Sequence, residues 1–125
     1  MNSFDYIIVG AGSAGCVLAN RFSEDGKNTV CLLEAGPPDW NPFIHIPAGF
    51  MKTLANPSVN WLFKSEPSWG TAGRIIDIPR GKTLGGSSSI NGMVFNRGQN
   101  LDFDVWAQNG NKGWSYSDLL PYFKR

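Results

Sequence analysis

Residues Phe4 to Glu34, FDYIIVGAGSAGCVLANRFSEDGKNTVCLLE, decide the fold: strand, glycine turn, helix, second strand, and an acid at the far end. Asp5-Tyr6-Ile7-Ile8-Val9 is a short, apolar, β-rich run of the kind that makes a fully buried parallel strand. Gly10, Gly12 and Gly15 follow at once in G-x-G-x-x-G order. The first glycine of such a set permits the tight turn, the second lets backbone approach a pyrophosphate, and the third lets helix and sheet pack closely. The helix they open carries Ala14, Val17, Leu18 and Phe22 on one face, and Asp25-Gly26 supplies its ending. Its N-terminal N–H groups then point at the phosphate site. Thr29 to Leu33 forms a second buried strand ending in Glu34, about twenty positions beyond the last glycine, where a carboxylate accepts hydrogen bonds from both ribose hydroxyls. An acid there disfavours NADP, because a 2′-phosphate would force two anions together. The spacing alone is a weak signal, but strand, helix, second strand and acid all agree with a dinucleotide site. The unit does not by itself separate NAD from FAD.

At 125 residues, with 42% hydrophobic residues and five tryptophans, the chain has the length and composition of one ordinary globular domain. Net charge is +1, from eleven basic and ten acidic residues with no basic run, so neither nucleic acid nor an anionic membrane is indicated. The apolar runs are too short to span a bilayer. Met1-Asn2-Ser3-Phe4-Asp5 lacks the basic start and long apolar segment of a signal peptide, so a cytoplasmic address is the default. Cys16, in the helix, and Cys31, in the second strand, suit small core residues, and neither a disulfide nor a metal is expected. After Glu34 nothing reads as another parallel strand with a crossover, so the sheet is expected to be incomplete within these residues.

From Gly36 to Pro47 the proline and Asp/Asn content predicts an irregular surface connection. His45, the only histidine, could be imagined as a general base, but with no acid or cysteine recognisable beside it the better reading is a loop histidine. Ala48 to Leu54 predicts a short helix, and Trp61 to Glu66 with Arg74 to Ile78 predicts a hairpin. Trp61 either packs on an adenine or fills the core. The segment Pro79-Arg80-Gly81-Lys82-Thr83-Leu84-Gly85-Gly86-Ser87-Ser88-Ser89-Ile90-Asn91-Gly92 is the second informative stretch. Its paired glycines and three serines make a turn whose N–H and hydroxyl groups can aim at one ligand, with Arg80 and Lys82 adding positive charge. Ser88 or Ser89 is expected to cap a short helix over 90–93, leaving Asn91 facing that ligand. A serine-rich linker before a helix is the competing reading.

Taken together, the two stretches resemble the glucose-methanol-choline (GMC) oxidoreductase family, flavoproteins that oxidise alcohols using FAD. Gly81, Lys82, Leu84, Gly85, Gly86, Ser87, Ser88, Ile90 and Asn91, with Phe95, Gly98 and Asp104 further on, match that family's first signature. Asn60-Trp61, Asn96-Arg97-Gly98, residues 102–106, Gly113-Trp114-Ser115-Tyr116 and Leu120-Pro121-Tyr122-Phe123 look like its choline dehydrogenase and aliphatic alcohol dehydrogenase branch. The resemblance runs from Phe4 to the last residue and favours FAD over NAD. It implies an α/β fold: a Rossmann-like FAD-binding βαβ unit with an added hairpin and helices, the incomplete N-terminal part of a GMC-type FAD/NAD(P)-binding fold. Residues 1–36 would be the βαβ unit, 37–79 the connection and hairpin, and 80–125 the flavin-contacting loop and helices. It further implies that Gly10, Gly12, Ser13, Ala14 and Gly15 hold the pyrophosphate, and Glu34 and Ala35 the adenosine ribose. Trp61 would neighbour the nucleotide, and Arg80, Gly81, Leu84, Gly85, Gly86 and Ser87 would line the cofactor's other flank. Asn91, Gly92, Met93 and Val94 would pass beside the isoalloxazine. Some family members carry a flavin-bonding histidine just before that asparagine; Ile90 stands here, so noncovalent FAD is expected.

The remaining residues read as support. Leu101 to Gln108 has helical spacing ended by Asn109-Gly110-Asn111, and Ser115-Tyr116-Ser117-Asp118 is a capping-box pattern. Asp102, Asp104 and Asp118 read as helix-start and solvated acids, not a catalytic pair. In the family mechanism a base takes the alcohol proton while hydride passes to flavin N5, giving an aldehyde or ketone. That base is a histidine, paired with a second histidine or an asparagine near the C-terminus of a chain several times longer. Neither is among these residues, nor is the substrate domain, so no catalytic residue is assigned here. The chain is expected to be part of a larger enzyme, as a truncated form, a clipped product or a fragmentary gene. Its partners would be a small-molecule alcohol, an electron acceptor (quinone, carrier or oxygen) and the rest of the polypeptide, with peripheral association at the inner membrane face allowed. The alternatives are a lyase or light-driven decarboxylase of the same family, and a non-catalytic FAD-binding fragment or interaction module.

Overall fold

The computed structural model describes residues 3–124; Met1 and Asn2 of the opening segment and Arg125 of the family match lie outside the described residues. Strand β1 (Tyr6–Val9) pairs in parallel with β2 (Val30–Leu33), Tyr6 opposite Val30 and Val9 opposite Leu33. Helix α1 (Ser13–Ser23) makes the crossover. The stacked rings of Tyr6 and Phe22, 4.4 Å between centroids, pack helix onto strand. Ile8 and Ala11 form the buried seam. Gly15 is glycine because a Cβ there would overlap the carbonyl of Gly10. At the strand entrance, the Asp5 carboxylate accepts the N–H and the hydroxyl of Thr29, each at 2.7 Å. Those bonds, the backbone N–H first and the hydroxyl second, hold Asp5 below its ordinary pKa. Ile7 and Val9 stay 64% and 83% exposed, which is what a two-stranded parallel sheet with apolar faces leaves uncovered.

Expected to be irregular, the connection instead forms one helical turn, α2 (Pro42–His45), because Pro42 starts it and the Asn41 side chain accepts the Phe43 N–H at 3.0 Å. A 3₁₀ turn at Pro47–Gly49 leads into α3 (Phe50–Thr53), where the short helix was expected. The hairpin, β3 (Phe63–Lys64) antiparallel to β4 (Asp77–Ile78), is shorter than its sequence signal. Leu62, at φ 54°, breaks one end of the ladder before the Asn60–Gly81 bridge. At the other end the Ser65 hydroxyl takes the Ile76 N–H, replacing a ladder partner.

The helix expected over 90–93 is not there. A 3₁₀ turn forms four residues earlier, at Gly86–Ser89, entered through Gly85 at φ 89° and Gly86 at φ 58°. Ser88 and Ser89 donate to the carbonyls of Gly85 (2.6 Å) and Leu84 (2.8 Å), tightening that turn instead of capping a later one. Asn91 then closes on the Met93 N–H at 2.8 Å, an Asx turn.

The chain divides into two compact units after Met93. The second unit contains α4 (Asn100–Gln108) and α5 (Tyr116–Phe123). Asp102 and Asp118 complete capping boxes at the two helix starts. Asp104 accepts the Tyr116 N–H at 3.0 Å, tying one helix to the next, a role its solvated-face reading did not include. Phe103 packs between Trp106 and Phe123, at 5.5 and 5.4 Å. Val94 opens this unit.

Candidate functional site

In the first unit a cleft of about 540 Å³ opens at the carboxyl ends of β1 and β2, where ligands bind in open parallel sheets. Three stretches and one residue from a fourth, Trp61, line it. The first gives Val9, Gly10 and Gly12, the second Leu33, Glu34 and Ala35, and the third Arg80, Gly81, Gly86 and Ser87. A neighbouring cleft of about 490 Å³ shares Val9, Gly10, Gly12 and Ser87 and adds Ser13, Ala14 and Gly15 at the start of α1.

Each part follows from local chemistry. Gly10, at φ 96°, turns the chain from β1 into α1. Gly12 is the N-cap residue of α1, and among the described residues no side chain caps that end and no acid occupies its first turn. An eleven-residue helix is thus left with free N–H donors and the positive end of its dipole at the cleft. A Cβ on Gly12 would meet nothing within 4 Å, so this glycine keeps space open. Glu34 fixes the turn from below: one carboxylate oxygen accepts the Ala11 N–H at 2.8 Å and the other the Gly36 N–H at 3.0 Å. Each oxygen retains acceptor capacity toward the cleft that Glu34 lines.

The second glycine-rich turn is sewn onto the first. The Gly85 N–H donates to the Ala11 carbonyl at 2.7 Å, and a Cβ on Gly86 would come within 2.9 Å of the Gly12 Cα. Leu84 and Gly85 therefore act through their backbone: the Leu84 N–H donates to the Pro37 carbonyl at 3.1 Å. Of the three serines expected to face a ligand, only Ser87 and Ser88 line the clefts, and the Ser87 hydroxyl also accepts the Gly81 N–H at 3.0 Å. The hydroxyls of Ser88 and Ser89 are turned inward onto the loop's own carbonyls. Asn91 and Met93 line a separate small recess with Phe50, and Gly92 lies against the Phe50 ring.

Several residues that build the site gave no sign of doing so in the sequence. Asn60, 2% exposed, donates to the Leu54 carbonyl and accepts the N–H groups of Leu62 and Arg80, fixing the backbone on both sides of Trp61. Thr83 is fully buried and donates to the Pro37 carbonyl at 2.8 Å. Only long-range partners distinguish these from ordinary polar loop residues. His45 also needs correction: its Nε2 stands 2.6 Å from the Asp39 carbonyl oxygen and 3.6 Å from the Asp39 carboxylate, so an acid does accompany it, at the end of α2 instead of in a loop. Both cysteines are free, and Cys16 donates to the Ala11 carbonyl at 3.2 Å.

The chain as a whole is similar to known proteins. A family model described as GMC oxidoreductase matches residues 4–125. An oxygen-dependent choline dehydrogenase of Sinorhizobium fredii is 54% identical over 121 residues, covering 97% of this chain and 22% of that protein. The crystal structure of pyridoxine 4-oxidase from Mesorbium loti superposes with a TM-score of 0.89 at 40% identity, over 97% of this chain and 24% of its own. A formate oxidase variant of Aspergillus oryzae, solved for the effect of a mutation on FAD modification, reaches a TM-score of 0.85 at 38% identity, over 95% and 21%. The chain spans about a fifth of the length of the curated relatives it matches.

Proposed function

The chain belongs to the GMC oxidoreductase family, and from that premise we propose that it is the cofactor-holding segment of an FAD-dependent oxidoreductase that converts an alcohol to an aldehyde or ketone. The observation that carries this is the convergence of the 9–12, 33–35 and 80–87 stretches, with Trp61, on one cleft beside the uncapped start of α1. The residues present suit a dinucleotide. N–H groups of Ser13, Ala14 and Gly15 would receive the pyrophosphate charge, and the open side of Gly12 would let it approach. Glu34 would orient the ribose with its remaining lone pairs, and Arg80 would add a positive charge from the opposite wall. Asn91, Gly92 and Met93 are assigned to the flavin end of the cofactor. FAD, when bound, supplies the acceptor for the hydride that leaves the carbinol carbon.

Noncovalent attachment is proposed because Ile90, 2% exposed, offers no heteroatom at the position where a bonding histidine would stand. The relatives named above act, by their names, on choline, pyridoxine and formate, yet share this segment. Substrate choice is therefore assigned to residues beyond these, and a choline-like alcohol heads the panel because the 54% relative is named for one. Quinone, carrier or oxygen would serve as electron acceptor. No described helix is long and apolar enough to cross a membrane. A cytoplasmic address, with room for peripheral association at the inner membrane face, accords with two free cysteines.

The test is an absorption spectrum of the polypeptide as its native gene encodes it, before and after acid precipitation. Flavin bands released into the supernatant are expected. Colour left in the pellet would overturn the noncovalent assignment, and a colourless protein indifferent to added FAD would overturn the cofactor.

A further inference from the structure

We infer that Lys82 is a positioning residue: its ammonium, held over the Trp61 indole, fixes that ring in the cleft wall where the adenosine end of the dinucleotide is read. The inference rests on the FAD reading above and concerns how the chain prepares that end of the site. Lys82 Nζ stands 4.8 Å from the Trp61 ring centroid, within the range of a cation–π attraction.

The two residues meet because their backbones are fixed independently of their side chains. They flank the antiparallel bridge between Asn60 and Gly81. The Trp61 N–H donates to the Arg80 carbonyl at 2.9 Å and the Lys82 N–H to the Val59 carbonyl at 2.8 Å. The Lys82 carbonyl lies so close to Gly36 that a Cβ on that glycine would overlap it. With the main chain held, only rotation of the side chains remains to be settled.

Trp61 is 43% exposed and lines the cleft with Glu34 and Ala35, so its ring is not locked by burial. On the hairpin side it stacks near-parallel on Phe63, 5.7 Å between centroids and 6° between planes. Lys82 supplies the second restraint, and among the described residues its ammonium enters no ion pair that would draw it elsewhere. An aromatic wall set before the ligand arrives loses less rotamer freedom on binding, which appears as affinity.

The test is a titration of the native-length protein, freed of cofactor, with FAD, alongside the melting temperature of each apo-protein. Lys82→Met, or Lys82→Gln should the first fold poorly, is expected to weaken FAD binding about two- to five-fold, the size of one exposed cation–π contact. Lys82→Arg should restore it, because a guanidinium also stacks on an indole. In a Trp61→Leu background the same Lys82 substitution should have no further effect. Equal losses with and without Trp61 would show a direct phosphate contact and overturn the inference, as would unchanged affinity in both neutral variants. Wild-type protein that takes up no FAD would overturn the reading beneath it, and the inference with it.

Discussion

At Gly12 a Cβ would project into open space, whereas at Gly81 it would run into the backbone of Gly86 and Ser87, and at Gly86 it would press on the Gly12 Cα. At Gly12 and Gly81 the two glycine-rich turns of one cleft thus need a glycine for opposite reasons. The first turn keeps a volume empty beside the uncapped end of α1. The second removes side chains so that its backbone can lie against the first. Gly12 leaves room at the cleft, Gly81 makes room for backbone, and the second turn braces the first.

That contrast can be broken by substitution. The largest effects should come where a Cβ meets backbone that cannot rotate away. Gly81→Ala and Gly15→Ala should each destabilise the fold by about 2–3 kcal/mol, the upper range of overpacking, seen as a lower midpoint in chemical denaturation. Midpoints equal to wild type would mean that neither turn is closed on its own backbone, Gly15 on Gly10 or Gly81 on Gly86 and Ser87.

Glu34→Gln comes next. A carboxamide keeps one acceptor oxygen where the carboxylate uses two, so either the Ala11 or the Gly36 N–H loses its partner. About 1–2 kcal/mol of stability should go with it, and FAD affinity should fall at least tenfold in a binding titration. Loss of affinity with no change in stability would leave Glu34 as a ribose ligand only.

The smallest effect lies at the far end of the same strands and sharpens the comparison by sparing the cleft. Thr29 holds Asp5 below its ordinary pKa of 3.8, so the ionised form favours the folded state. That contribution is complete above 3.8 and fades as pH falls through the still lower folded-state value. The melting temperature of Asp5→Asn should therefore lie below wild type at neutral pH, with the gap closing in acid and FAD affinity at neutral pH unchanged. A gap that persists undiminished at low pH would assign it to shape instead of charge.

How far the sequence revealed this depended on the distance over which each residue acts. Gly10, Gly12, Gly15 and Glu34 sit in one local unit whose strand, turn and helix carry their own periodicity, so their grouping is legible in the sequence itself. The capping boxes of α4 and α5 are equally local. In the second turn, Ser88 and Ser89 looked like ligand donors because composition does not say which acceptor a hydroxyl finds; both found carbonyls inside the loop. Asn60, Thr83 and Gly36 were opaque for the related reason that their partners lie on other segments. The Leu62 break in the hairpin was hidden because nothing in a leucine announces a left-handed backbone.

The most direct measurement of the central claim is Gly12→Ala in the native-length protein, read by FAD titration and thermal melting together. Gly12 has φ −78°, and its side-chain direction is empty, so alanine fits the fold itself. If that space belongs to a pyrophosphate, the melting temperature of the apo-protein should stay at the wild-type value while FAD affinity drops at least tenfold, or about 1.4 kcal/mol. An alanine variant that binds FAD as tightly as wild type would contradict the account, because the volume kept open at Gly12 would then hold nothing.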